Sequence, residues 1–527
     1  MCAEAMRNAL RNWRRDTYAG TLIDVTLLIL VAILTSLLIR RVGHVGIQFE
    51  DLSIAFDGGF RILNGQLPFV DFMSPFGPVL YLQQALFFAL FGVCYQTFLL
   101  HAIVINLAAL IITYLIFRPI DRATALFAAA LTGFWFYPPV GAPYVDNTCI
   151  FWALGSLFFV FLADRRSRET PWLLLSGFAA GLAILTKQNL GGLAALGILA
   201  FILIEKRQWR SSVSFLLGML IPLGMFTLYL LANRAMSDFW HYAVLVHTES
   251  GRLWGSLPQL LNYLWNLSGP ENQLPVDHLA WLAEAGLLFI ILLLLSRAYE
   301  TKNNDRRRLA LLAAILVPGH YLFARMSFND WPIYLSFLGL TAGCLTYTIA
   351  TAGWRSIAQL TLLPLLIVLG YHISVTRVVH GLPPANMTYA MQASRLEGVR
   401  VEPEIGEDLD GLLQYLDREV AEDEQVFFFG NRMLIHGVLD RPSPQPLMWF
   451  REGVTYSEVD ASRSDQHLLQ TLMEGDIEWI VIEDVAYLQA FPDTLDFIEH
   501  HYEQVHEVGR RAYFVYHKMD PQQETSG

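Results

Sequence analysis

Charge is what this sequence has least of. Only 16% of its 527 residues are Asp, Glu, Lys or Arg, against 54% hydrophobic, where a soluble globular chain carries about 25% charge. The deficit excludes an ordinary soluble enzyme. Many apolar runs approach or exceed the ~20 residues that cross a bilayer as a helix, so the chain reads as a polytopic membrane protein. Cysteine is scarce as well: Cys2, Cys94, Cys149 and Cys344 stand far apart. They lack metal-ligand spacing and none lies in the last 150 residues, so disulfides do not hold that part together. No basic patch interleaved with aromatics is present, which excludes nucleic acid as a partner. Neither an internal repeat nor a low-complexity segment is visible. The Arg-rich start (Arg7, Arg11, Arg14, Arg15) precedes an apolar run too long for a signal h-region, and no small-residue cleavage site follows. It reads as a retained first span with its N-terminus in the cytoplasm.

The charge that is present is unevenly placed. The net value is −12, yet the last 140 residues hold 28 acids and 10 bases, which leaves the rest positive. Two regions in different environments follow: a membrane domain over 1–375 and a soluble, extracytoplasmic α/β domain over 376–527. The acidity of the second keeps it soluble and away from anionic headgroups. Spans are expected near 21–39, 97–117, 123–137, 149–162, 172–186, 190–204, 213–231, 279–295, 309–324, 333–350 and 357–375. Basic loops at Arg118/Arg122, Arg165/Arg166/Arg168, Lys206/Arg207/Arg210 and Arg297/Lys302/Arg306–Arg308 belong on the cytoplasmic side. All four land there only if the run 78–91, with Gln83-Gln84 inside it, does not cross. The expectation is therefore about eleven spans plus one juxtamembrane or re-entrant helix. With that parity the unusual polar segments share the outer face: a first external loop over 40–77, the segment 138–148, the turn at Lys187-Gln188-Asn189, a long loop over 232–278, the turn 327–332 and the tail. In the tail, 426–430 and 479–482 read as buried strands, and 409–419 and 466–473 have helical spacing.

Directly after the first span comes Phe49-Glu50-Asp51, then Gly65-Gln66-Leu67-Pro68-Phe69-Val70-Asp71-Phe72 and Ser74-Pro75-Phe76-Gly77-Pro78. Carboxylates at a membrane surface are costly unless used or paired. Tyr144-Val145-Asp146-Asn147 places another acid at the outer end of a span, where an Asp-Asn-Thr sequence also serves as an ordinary helix cap. Lys187 stands at an outward turn, where a lysine also snorkels to the interface. Phe239-Trp240-His241-Tyr242 opens the long loop. His247 and Glu249 follow; His241 and His247, six apart, suit a lid over a substrate or a structural role better than a metal site. Asp57 and Asp71 read as loop-shaping residues, and Trp254, Trp265 and Trp331 as an interfacial belt.

In order and spacing, these segments resemble the polyprenyl-phosphate-sugar-dependent glycosyltransferases of the GT-C fold. More narrowly they resemble glycosyltransferase family 39, the protein-mannosyltransferase and aminoarabinose-transferase group. The matching pieces are the acid pair, the Leu63–Phe72 run, Asp146, Leu185-Thr186-Lys187-Gln188-Asn189 and Phe239–Tyr242, over roughly the first half of the chain. The resemblance implies an all-α polytopic GT-C-like domain in an inner (plasma) membrane. It implies transfer of a hexose or pentose from a polyprenyl-phosphate donor to a glycan, lipid or protein acceptor. Asp51 takes the place of the catalytic acid, the general base on the acceptor hydroxyl. Glu50 orients the acceptor or binds a divalent metal, the one cofactor implied. Asp146, Lys187, Asp71, His241 and Tyr242 fall at substrate-binding positions. Two departures stand out. The family's second acid follows the first, whereas Glu50 precedes Asp51. Its Lys-Pro ahead of the short helix is replaced by Phe76-Gly77-Pro78, which leaves the phosphate to other donors such as Arg61, Arg252 or Arg325. A transporter or flippase of a lipid-linked saccharide is the alternative. It would place polar residues at mid-membrane in paired, broken helices, a pattern this sequence does not show. A polysaccharide polymerase or ligase would lean on a long basic loop, and the long loop here is poor in bases.

Overall fold

The computed structural model describes residues 2–47, 51–165, 168–206, 208–246, 384–457, 461–509 and 513–519, and scattered positions between 359 and 375. For residues 2–20, Asp51, Arg165, Glu205 and Lys206 it describes the backbone. The spans expected at 279–295, 309–324 and 333–350, the turn 327–332 and Trp254, Trp265 and Trp331 lie outside the described residues.

The described membrane part is helical: α1 (Cys2–Gly43), α2 (Asp51–Leu63), α3 (Val79–Phe91), α4 (Tyr95–Phe117), α5 (Arg122–Trp135), α6 (Val145–Arg165), α7 (Thr170–Ile184), α8 (Gln188–Lys206), α9 (Trp209–Ala232) and the short α10 (Met236–Trp240), which continues as a π-helical turn, His241–Leu245. Among the described residues, four stretches are long and apolar enough to cross a membrane: Thr21–Gly43, Tyr95–Phe117, Val145–Asp164 and Trp209–Ala232. The core of the Val145–Asp164 stretch is 72% buried and those of the first and last only 22%. So α6 runs through the middle of the bundle, while α1 and α9 turn Leu22, Leu30, Leu217 and Met225 outward, as lipid-facing helices do. Two close approaches knit α7 to α9. A Cβ on Gly177 would stand 1.8 Å from the Phe215 carbonyl oxygen, and one on Gly218 2.0 Å from that of Leu174. Small residues that let backbones meet in this way are the usual glue of membrane helices.

The helices alternate between two ends. At one end, Asp24 of α1 is buried and accepts from Arg122 Nε at 2.6 Å and the Tyr114 hydroxyl at 2.7 Å, and Glu169 before α7 accepts from Ser211 of α9 at 2.9 Å. Asp121 caps α5 there, accepting from the Thr124 amide at 2.8 Å. At the other end the Tyr95 hydroxyl donates to the Gly43 carbonyl at 2.9 Å, and the Tyr229 hydroxyl to that of Pro68 at 2.7 Å. Helix α3 begins and ends at this second end. At 13 residues it is about 20 Å long, short of a ~30 Å hydrocarbon core, and it lies against α4 through Gln84 and His101, 2.9 Å apart.

The stretch expected as an external loop over 40–77 differs from that reading. Helix α1 runs on to Gly43 and the segment after it folds as α2. Gly58 and Gly59 inside α2 are packing glycines: a Cβ on the first would lie 2.4 Å from the Tyr81 ring and one on the second 2.6 Å from the Gln84 side chain of α3.

The C-terminal domain is a four-stranded sheet with helices on both faces. After a two-residue ladder of β1 (Tyr389–Ala390) and β2 (Arg400–Val401) come α11 (Pro403–Glu419), β3 (Gln425–Phe429), α12 (Leu434–Leu439), α13 (Ser462–Glu474), β4 (Ile477–Ile482), α14 (Pro492–His501), β5 (Tyr502–Val508) and β6 (Tyr513–Lys518). The order is β3-β4-β6-β5, with β3 and β4 parallel and the other pairs antiparallel. Val426 and Phe428 face one cluster, shared with α2 and α11; Phe427 and Phe429 face the other, shared with α13. Burial on both faces explains the unbroken apolar run.

Candidate active site

The second end of the bundle gathers the residues singled out in the sequence. Gly77 packs onto the turn between α7 and α8, where a Cβ would come 1.9 Å from the Leu185 carbonyl oxygen. The Gly77 and Val79 amides donate to the Thr186 and Leu185 carbonyls, both at 3.3 Å. The Ser74 hydroxyl, 2.8 Å from that of Tyr81, accepts from the Phe76 amide at 3.0 Å and fixes the corner. Phe76 is thereby held with its ring centre 5.7 Å from Lys187 Nζ. Lys187 in turn stands 2.6 Å from Asp146 Oδ1 in the first turn of α6, and Cys149, one turn on, leans its thiol on the Ala183 carbonyl at 3.4 Å. A buried ion pair is worth little net once desolvation is counted, but a lone buried charge is costly. The pair therefore presets a cation and a carboxylate at a helix end, able to part when a charged ligand offers either one a new partner.

The C-terminal domain closes over this corner. Trp449 meets Phe76 edge to face at 6.0 Å, and the Met73 amide donates to the Pro446 carbonyl at 2.6 Å. Behind them Arg61 is fully buried, bonded to Asp57 at 2.6 Å and to the Gln445 carbonyl at 2.9 Å. Burial raises the Asp57 carboxyl while the Arg61 charge and hydrogen bond lower it. The Leu434 amide donates to Ser53 at 2.7 Å. These contacts tie α2 to the domain, so Arg61 is a structural joint rather than the open phosphate donor suggested above, and Asp57 belongs to a helix rather than a loop.

Asp51 opens α2 by its backbone. Glu50, His247, Glu249, Arg252 and Arg325 lie outside the described residues. Asp71 is exposed and shapes its turn, its carboxylate accepting from the Leu67 amide at 2.6 Å. The turn forces Phe69 to a left-handed φ of 63°, a conformation that costs about 1 kcal/mol or more and that its ring offsets by packing edge to face on Phe239 at 5.2 Å. His241 is half-buried and meets Tyr242 edge to face at 4.8 Å. The Tyr242 hydroxyl reaches into the C-terminal domain, 3.1 Å from His467 Nδ1, and burial pushes it up to about 12. Beside it Asp238 pairs with Arg463 at 2.7 Å. The structure thus brings together Asp146, Lys187 and the 74–78 corner, and places Tyr242 and Asp71 at the surrounding joints. Among the described residues no three His, Cys, Asp or Glu side chains gather to hold a metal. Sequence reasoning missed Phe76 as the neighbour of Lys187 and Trp449 as the neighbour of Phe76. The Ser-Pro-Phe-Gly-Pro turn marked the first, and nothing local marks the second.

Residues 74–231 match the family described as dolichyl-phosphate-mannose-protein mannosyltransferase. The fold is similar to that of ArnT from Cupriavidus metallidurans bound to undecaprenyl phosphate, with a TM-score of 0.56 at 15% identity over 94% of this chain and 98% of that one. The fold is also similar to the Archaeoglobus fulgidus oligosaccharyltransferase in complex with Zn and sulfate, with a TM-score of 0.51 at 13% identity over 93% of this chain and 73% of that one. No curated protein matches the sequence at a significant level.

Proposed function

We propose, from the GT-C fold that the chain shares with these proteins, that it is a membrane glycosyltransferase moving a hexose or pentose from a polyprenyl-phosphate donor to an acceptor on the extracytoplasmic face. The observation that carries the reading is the corner where Lys187, Asp146 and Phe76 converge beside the first external segment, under the C-terminal domain. The undecaprenyl phosphate bound by the structurally similar ArnT and the mannosyltransferase-like sequence of residues 74–231 support a lipid-phosphate donor. Sidedness is supported by Arg118, Arg122, Arg168 and Arg210, which all belong to the opposite end of the bundle, the cytoplasmic one by the positive-inside rule.

In the proposed reaction an acceptor hydroxyl attacks the anomeric carbon, and the carbon–oxygen bond to phosphate breaks with its electron pair leaving on the lipid phosphate. The hydroxyl proton passes to Asp51 and the configuration inverts. General-base help of this kind contributes roughly 10²–10⁴-fold. Lys187, released from Asp146, meets the charge of the leaving phosphate, and Asp146 is then free to accept from the acceptor. Asp71, His241 and Tyr242 hold the turn and loop around the donor, and Glu50 orients the acceptor or binds a divalent metal. The test is incubation of the purified chain with a panel of radiolabelled polyprenyl-phosphate sugars. One sugar is consumed by the wild type, and Asp51→Asn slows its turnover by about 10²–10⁴-fold at an unchanged melting temperature. Normal turnover by Asp51→Asn would sink the assignment.

A further inference from the structure

The end of α1 and the start of the C-terminal domain border a half-open cavity of about 510 Å³, which shares no lining residue with the Lys187–Asp146 corner. Arg41, His44 and Arg400 line it together with the apolar Val42, Val375 and Met387, and no carboxylate among the described residues does. The two arginines come from different parts of the chain and are held in register by backbone. The Arg400 amide donates to the His44 carbonyl at 2.8 Å, and the Gly46 amide to the Arg400 carbonyl at 2.7 Å. Both side chains are exposed, and Arg41 reaches the Tyr371 hydroxyl at 3.4 Å. The His44 ring is already engaged, with Nδ1 on the Arg40 carbonyl and Nε2 2.7 Å from Gln96. Burial lowers its pKa, so the positive charge of the cavity rests on the two guanidiniums.

Position narrows the ligand. Arg41 is in the last turn of the membrane-crossing α1, and Tyr371 and Val375 belong to the apolar run at 357–375. The cavity therefore sits at headgroup level, with guanidiniums beside hydrocarbon side chains. A guanidinium fork matches phosphate oxygens in pairs, and apolar walls suit the chain that a lipid phosphate carries. We infer that this cavity binds the phosphate headgroup of an anionic membrane lipid, gripped between Arg41 of α1 and Arg400 of the C-terminal domain. A lipid bound there clamps the domain to the end of α1, at a site separate from the one proposed for the sugar donor. The inference does not depend on the transferase reading, and its test does not use activity.

The test is native mass spectrometry of the full chain from phosphatidylcholine nanodiscs doped with phosphatidylglycerol, with inorganic phosphate as the soluble competitor. Each basic residue near an anionic surface is worth about five-fold in binding. Wild type should therefore retain phosphatidylglycerol about thirty-fold better than the double variant Arg41→Gln/Arg400→Gln, while Arg41→Lys/Arg400→Lys keeps most of the retention. Both arginines are exposed, so unchanged melting of all three proteins is expected. Equal retention by wild type and the glutamine variant would overturn the inference. Full displacement of the lipid by inorganic phosphate would overturn it too, because the cavity would then be a site for soluble anions.

Discussion

Lys187 Nζ stands 2.6 Å from Asp146 Oδ1, and the two side chains are only 6% and 4% exposed. The pair joins the turn after α7 to the first turn of α6, beneath the ring of Phe76. Its burial makes it testable in a way a surface pair is not, because a lone buried charge costs about 3–5 kcal/mol whereas removing both charges costs far less.

Lys187→Met alone and Asp146→Asn alone should each lower stability by a few kcal/mol, and the double variant should recover most of that loss. Thermal unfolding of the detergent-purified proteins measures it. Transfer activity should not recover in the double variant if the cation serves the phosphate. A double variant with wild-type turnover would reduce the pair to a structural tie.

Gly77→Ala should disturb the site from outside it. The new Cβ would come 1.9 Å from the Leu185 carbonyl oxygen, so the 74–78 corner must lift and carry Phe76 off Lys187. Overpacking of this kind costs about 1–3 kcal/mol. The expected result is a loss of turnover larger than the loss of stability. A variant as active as wild type would show that the corner is not part of the site.

A pH limb should come from His436, which is buried in α12. Burial, and after it the Arg61 charge, lowers its pKa to about 3. The folded domain thus holds a neutral ring while the unfolded chain takes up a proton below pH 6.5. This contribution is complete above 6.5 and is lost as pH falls toward 3, at about 1.4 kcal/mol per unit. His436→Leu should flatten that part of the melting-temperature profile. Parallel wild-type and variant profiles between pH 6.5 and 5 would contradict it.

Sidedness can be read with one thiol. Glu503 is exposed on β5, and Glu503→Cys in a chain stripped of its native cysteines should react with a membrane-impermeant maleimide in intact cells. Labelling only after permeabilisation would put the C-terminal domain, and the corner it covers, on the cytoplasmic side.

The spans at 97–117 and 213–231 and the buried strands at 426–430 and 479–482 were legible because each is a local pattern: apolar length for a helix in lipid, an apolar run for a strand covered on both faces. Loop charge likewise predicted that 78–91 stays at one end, where α3 begins and ends. Helix α2 was not legible, since 40–77 reads as a loop until Tyr81 and Gln84 of α3 are seen filling the space a side chain on Gly58 or Gly59 would need. Strand β5 was hidden by its polar sequence, with five consecutive exposed residues on an edge.

The sequence by itself determined the membrane class, the acidic C-terminal region and the separate residues of the proposed site, because hydropathy, charge and turn residues act over a few positions. Only the tertiary structure decided that Lys187 meets Asp146, that Phe76 lies over the lysine, and that Arg61 is a joint rather than an open cation. Those facts depend on side chains 41 to 384 positions from their partners along the chain. Close packing, not local preference, settles which buried charge finds which partner.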